Sequence, residues 1–268
     1  MKLSFRKLSL RFILRIFFAA LFLIPLVWIM MASLRPQGTP LSASFGFTDG
    51  ISLQNFSRMW NLVPMGKYTW NSLLVVGLAL PLTLITSSWA GFSISQLSLR
   101  SQRRWVLLSL AVLMVPSIAL WSSRFILYKA LGWHNTIWAL IAPAWMGTSP
   151  FYILMFYRAF KRIPSEIYAS ARLDGAGVLT IWWQIALPLV RPTAIGVGIL
   201  SFIVYWGDFI SPLLYLQSEE KYTLAIALQL LEQMGRSDWS LLMSAALYMS
   251  AIPIILFLFV QPFLNTSD

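Results

Sequence analysis

The chain has 268 residues, of which 58% are hydrophobic and 11% charged, against about 45–50% apolar and about 25% charged in a typical soluble domain. Its mean hydropathy of +0.72 and formal charge of +11 point to a bilayer protein whose cations sit at helix ends, facing lipid headgroups rather than nucleic acid. The absence of cysteine excludes disulfides and thiolate metal sites, and about six spans of about 20 residues leave no room for a soluble catalytic domain.

The first apolar run covers residues 12–33 and follows Lys2, Arg6, Lys7, Arg11 and Arg15. It is longer than the core of a cleavable signal peptide, roughly 7–15 residues, and shows no small-residue cleavage site, so it reads as a retained signal anchor behind a tail at 1–11. Further runs at 68–92, 105–127, 137–160, 191–213 and 239–262 can each cross a hydrocarbon core about 30 Å thick. The expected fold is an all-α integral membrane protein: six transmembrane helices in one domain over 12–262, then a short tail at 263–268. Pro81, Pro116, Pro150 and Pro253 lie inside these runs and are the places where a span can bend.

Cations set the orientation. With a cytoplasmic N-terminus, the tail, the 2–3 loop (Arg100, Arg103, Arg104) and the 4–5 segment (Arg158, Lys161, Arg162, Arg172, Arg191) hold thirteen of the 20 Lys and Arg. The other side holds Arg35, Arg58, Lys67, Arg124, Lys129, Lys221 and Arg236. This positive-inside bias puts both termini in the cytoplasm. Asp49, Glu219, Glu220, Glu232 and Asp238 fall mostly on the outer side, which is weaker evidence.

The loop between spans 4 and 5, about 161–190, carries a polar, Arg-flanked helix that interrupts the apolar chain. Pro164 and Ser165 form a helix start, with Ser165 as cap and Glu166 in the first turn, where a carboxylate complements the helix dipole. A short helix is expected from about Glu166 to Leu173, closed by a turn at Asp174 and Gly175. Ile181, Trp182, Ile185 and Leu187 then begin an apolar face returning to the membrane, and Pro188 and Pro192 mark where span 5 begins or bends. An interfacial amphipathic helix would satisfy this pattern alone. The small residues Ala169, Ser170 and Ala171 would also let the helix lie close in a partner's groove, with Arg172 and Glu166 fixing its register.

The spacing of Ala169-Ser170-Ala171, Asp174-Gly175 and, after nine intervening residues, Ile185-Ala186-Leu187-Pro188 resembles the cytoplasmic coupling loop of permease subunits of binding-protein-dependent ABC importers. The resemblance extends over nearly the whole chain and is to the carbohydrate-uptake type, similar to the maltose and glycerol-phosphate permeases. Its other markers are Tyr68-Thr69-Trp70-Asn71-Ser72-Leu73, Asn135-Thr136-Ile137-Trp138-Ala139-Leu140 and Trp206-Gly207-Asp208-Phe209. It implies a six-helix core in the cell membrane, a second permease subunit, two ATPases that carry ATP and magnesium, and an extracytoplasmic solute-binding protein. This chain would bind no cofactor itself. Two departures stand out. Ala169 replaces the acidic residue that opens the family's Glu-Ala-Ala triplet, leaving Glu166 one turn earlier as the available carboxylate. Residues 261–268 lack the Gly-rich basic tail of many relatives.

Within the spans, Asp208 is the outstanding acid, and Tyr205, Trp206 and Asp208 are candidates for the solute path: aromatic faces suit sugar rings, and a carboxylate accepts hydroxyl hydrogen bonds. A packing role for Asp208 against a partner subunit is the other reading. Asn71 and Asn135, near span entrances, read as helix caps or bonds across helices rather than solute contacts, and His134, the single histidine, has no second ligand pattern beside it. No phosphate loop, Ser/His/Asp set or carboxylate pair is evident, so the chain itself is not expected to be an enzyme. An ion-coupled secondary transporter is the alternative, but it would need internal repeats and intramembrane charges.

Overall fold

The computed structural model describes residues 2–39, 50–145, 149–234 and 238–264, with side chains from Phe12 onward except those of residues 260 and 262–264. Asp49 and Arg236, two of the charges assigned to the outer side, lie outside the described residues, as do Met1 and 265–268 of the expected tails.

Helices account for most of the described residues: α1 (Lys2–Ser33), α2 (Gln54–Leu62), α3 (Met65–Ser95), α4 (Leu99–Leu113), α5 (Ser117–Ala130), α6 (Trp138–Trp145), α7 (Pro150–Lys161) and α8 (Ser165–Leu173). They continue with α9 (Val178–Leu189), α10 (Arg191–Trp206), α11 (Ile210–Tyr215), a 3₁₀ turn at Glu219–Lys221, α12 (Leu224–Met234) and α13 (Trp239–Leu264). Four segments are long and apolar enough to cross a membrane: Phe12–Ser33, Met65–Ser95, Trp138–Lys161, which runs over 146–148, and Trp239–Phe259. Two bent pairs raise the number of candidate spans to as many as six.

Two of the expected spans are bent or interrupted. The run 105–127 is not one rod: α4 and α5 meet at 91°. Pro116 is the cause, since it has no N–H to continue the ladder and holds an extended backbone at φ −61° and ψ 128° ahead of α5. The run 191–213 is interrupted after Trp206, and Asp208 sits in the gap between α10 and α11. At its start, α9 meets α10 at 84°, next to Pro188 and Pro192. Pro81, by contrast, is carried inside the continuous helix α3.

Backbone packing divides the chain into two units, Met1–Gly66 with Ile226–Phe257, and Lys67–Ala225 with Leu258–Asp268. In the first, the buried Asn55 amide donates to the Ser33 and Arg35 carbonyls at 3.0 and 2.7 Å, and Ser244 Oγ donates to Ser33 O at 3.1 Å. These bonds satisfy orphan carbonyls at the end of α1. Arg58 and Asp238 form an ion pair at 2.6 Å in the same unit.

The second unit holds the candidate site. Its core is aromatic: Phe92, Phe156 and Phe160 are buried, with Phe92 edge-on to Phe160 at 5.5 Å and Phe156 stacked on Phe160 at 5.9 Å. Gly91 lets α3 and α7 approach closely: a Cβ there would stand 2.7 Å from Phe156 Cβ and 2.8 Å from the Ile153 carbonyl oxygen. Asn135, at φ 56°, accepts the Gln217 and Ser218 N–H groups at Oδ1, each at 3.0 Å, and donates to Ser218 Oγ at 2.8 Å. Asn71 donates to the Glu220 and Tyr222 carbonyls at 2.9 Å. Both asparagines bond to the 217–222 segment, remote from them in sequence.

Candidate functional site

The polar segment folds as α8, one residue longer at its start than expected. Pro164 takes the cap position and Ser165 is the first helical residue, its Oγ 3.4 Å from Glu166 Oε1. The Ser165 side chain therefore does not cap the backbone, and the proline supplies the extended entry instead. The far end is a Schellman closure: Gly175 stands at φ +80°, its N–H donates to Arg172 O at 3.1 Å, and Ala176 N–H donates to Ala171 O at 2.9 Å. Gly175 reaches that left-handed backbone without the strain a Cβ would bring.

Two residues of α8 anchor it. Tyr168 and Ala171 are buried in the cluster that contains Phe92, Phe160, Ile181, Trp182 and Ala186. The Tyr168 hydroxyl donates to Phe160 O at 3.2 Å, and burial pushes its pKa up to about 12. The next helix, α9, widens to a π-type turn over Ile181–Ala186, and its Trp182 ring packs edge-on to Trp89 of α3 at 5.0 Å.

The predicted coupling residues thus divide into two sets. Glu166, Ala169, Ser170, Arg172, Asp174, Gly175 and Pro188 are exposed, Ile185 is half-buried against the aromatic cluster, and Ala171 is buried in it. Ala171 therefore faces its own chain rather than a partner's groove, because the helical turn that exposes Ala169 and Ser170 carries the next residue inward. Arg172 reaches its own chain too, donating to Gln96 Oε1 at 2.7 Å.

Sequence reasoning missed Gln102. This buried amide donates to the Ser95 and Leu97 carbonyls at 3.0 and 2.7 Å, and its Oε1 accepts Tyr157 OH at 3.1 Å and Lys161 Nζ at 2.8 Å. The loop after α3, the first turn of α4 and the end of α7 converge on one side chain. A glutamine beside three arginines reads as a solvated loop, so the sequence carried no signal for it.

Farther along the unit lies a cavity of about 440 Å³, lined by residues that include Thr83, Trp121, Arg124, Tyr152, Tyr205 and Asp208. Its size falls within the range of about 300–1,000 Å³ typical of small-molecule sites. Tyr205 and Asp208 line it. Trp206 does not: it is buried with its ring stacked on Phe202 at 5.7 Å, since adjacent helical residues point about 100° apart. Asp208 Oδ1 accepts the Ser211 N–H at 3.0 Å, an acceptor at the start of α11 of the kind that satisfies a free helix N–H. Arg124 was counted only as a topology cation, although its place inside the run 105–127 marked it as unusual.

Among the described residues, no cluster of three or more His, Asp or Glu is placed to hold a metal. His134 packs edge-on to Phe125 at 4.9 Å.

Comparison with known proteins finds a match over residues 4–266 to the family described as binding-protein-dependent transport system inner membrane component. The arabinooligosaccharides transport system permease protein AraQ of Halalkalibacterium halodurans is 31% identical, over 91% of this chain and 88% of the relative. The diacetylchitobiose uptake system permease protein NgcG of Streptomyces coelicolor is 27% identical, over 90% of this chain and 80% of the relative. In fold, the chain is similar to a crystal structure of a bacterial ABC transporter involved in the import of the acidic polysaccharide alginate, with a TM-score of 0.75 at 20% identity, over 96% of this chain and 95% of that one.

Proposed function

The chain belongs to the binding-protein-dependent transport system inner membrane components, the permeases of ABC importers, and on that premise we propose that it carries a sugar or related polyol delivered by an extracytoplasmic solute-binding protein. The names of its relatives support a carbohydrate, and membership favours an ATP-driven importer over an ion-coupled carrier. In this reading six spans cross the membrane, both termini are cytoplasmic, a second permease subunit completes the path, and two ATPases bind ATP and magnesium.

One observation carries the coupling role: α8 exposes Glu166, Ala169, Ser170 and Asp174 while Tyr168 and Ala171 root it among Phe92, Phe160 and Trp182. A helix seated in rigid aromatic packing passes a push from a docked ATPase into α3 and α7, because close-packed interiors transmit displacement instead of absorbing it. Glu166, one turn ahead of Ala169, supplies the carboxylate that the triplet lacks. Arg172 holds the lever to Gln96, while Gly175, Ile185 and Pro188 shape the return to the membrane. The solute then passes Tyr205 and Asp208 as the spans rock between inward-open and outward-open states.

The test is a mild-detergent purification of the tagged chain from its native membrane, with bound proteins identified and counted. A second permease, two ATPase copies and a solute-binding protein are the expected company. A lone chain or homodimer, under conditions that keep known importers whole, overturns the reading, as does transport in ATPase-free liposomes that follows an ion gradient.

A further inference from the structure

The two charges on the cavity wall are in different situations. Asp208 is engaged through Oδ1 with the Ser211 N–H, so at least half of its carboxylate serves the backbone of α11. Arg124 is half-buried, donates no hydrogen bond and forms no ion pair among the described residues. A guanidinium held in an apolar span without an acceptor is costly, and such groups mark ligand paths by default.

The surroundings of Arg124 define what it would take. It lies on α5, about two turns past the break at Pro116, and Trp121 and Tyr205 line the same cavity. A planar guanidinium matches a carboxylate with two parallel N–H···O bonds, aromatic faces suit sugar rings, and the Thr83 and Tyr205 hydroxyls, 3.4 Å apart, offer donors and acceptors to sugar hydroxyls. We propose that Arg124 is an anion-recognising residue of this cavity and that the solute it serves is a sugar acid, bearing a carboxylate beside its hydroxyls. The proposal rests on the importer reading above and narrows its substrate class.

Arg124 also borders a more apolar cavity of about 700 Å³, lined by Trp105, Leu108 and Ile153 among others. An anionic lipid with its tail there is the competing occupant, and the test separates the two.

The complete transporter in nanodiscs is treated with phenylglyoxal, and modification at Arg124 is followed by mass spectrometry. Digalacturonate is expected to slow modification at least fivefold, while galactobiose, the neutral disaccharide with the same ring skeleton, leaves it unchanged. Equal protection by both sugars, protection by neither, or protection that follows the phosphatidylglycerol content of the nanodisc overturns the proposal.

In ATP-loaded proteoliposomes, Arg124→Gln should lower the ratio of digalacturonate to galactobiose uptake about tenfold or more, the loss expected of one charge-assisted contact. Arg124→Lys should recover part of it. An unchanged ratio rejects the sugar-acid site and leaves the importer standing. Uptake by the unaltered transporter that ignores ATP rejects the importer itself.

Discussion

Arg172 Nη2 donates to Gln96 Oε1 at 2.7 Å, joining α8 to the residue just past the end of α3. The bond is exposed, so its net worth to folding is less than about 1 kcal/mol, and its value lies in fixing the angle of α8. Arg172→Ala and Gln96→Ala should each lower solute uptake per ATP hydrolysed, and the double variant should do no worse than either single one. A double variant whose loss is the product of the two single losses would show that the residues act separately.

Gly175 holds α8 closed from a left-handed backbone at φ +80°. Open space surrounds it, so a side chain meets conformational strain and no clash. Gly175→Val should cost about 1–2 kcal/mol locally and raise ATP hydrolysis relative to uptake, while Gly175→Asn, which tolerates this backbone, stays close to the parent. Uptake unaffected by Gly175→Val would count against the lever.

A methyl group at residue 91 would stand 2.7 Å from Phe156 Cβ and 2.8 Å from Tyr157 N. Those atoms belong to the start of a side chain and to backbone, which cannot swing aside. Gly91→Ala should therefore push α3 from α7 and destabilise the protein by about 1–3 kcal/mol, read as a fall in the thermal midpoint in detergent. Gly77→Ala, on the same helix with nothing within 4 Å, is the control and should be neutral or better.

Tyr168 is held neutral by burial, its pKa pushed up from 10.0 to about 12. Because the folded value lies above the unfolded one, the packing of α8 is fully favoured below pH 10 and loses that support as pH rises through about 12. A difference absorbance titration of the parent against Tyr168→Phe should show the missing tyrosinate appearing only near pH 12. Its appearance at pH 10 would place the ring in solvent.

Much of the site was legible because its signals are local. Ser165 to Leu173 carries helix formers, a start after Pro164 and a glycine stop, so the helix and its turn were read almost to the residue. Pro116 announced the bend between α4 and α5, and Asp208 stood out as an acid in an apolar run. What stayed hidden depends on neighbours remote in sequence. Ala171 faces inward because Phe92, 79 positions earlier, packs with it in one cluster. Trp206 does not line the cavity because helical geometry turns it away from Tyr205. Asn135 showed a polar residue at a span entrance, but not that the loop at 217–218 would close on it.

Gln102 fixes the base from which α8 projects. Both N–H groups of its amide are taken by carbonyls and its oxygen accepts two donors, so nothing remains to exchange with water or a neighbour. The loop after α3, the first turn of α4 and the foot of α7 are thereby riveted into one block, and any pivot for α8 falls beyond it, at Arg162–Pro164, where the chain leaves α7 and Pro164 fixes the angle at which the next helix departs.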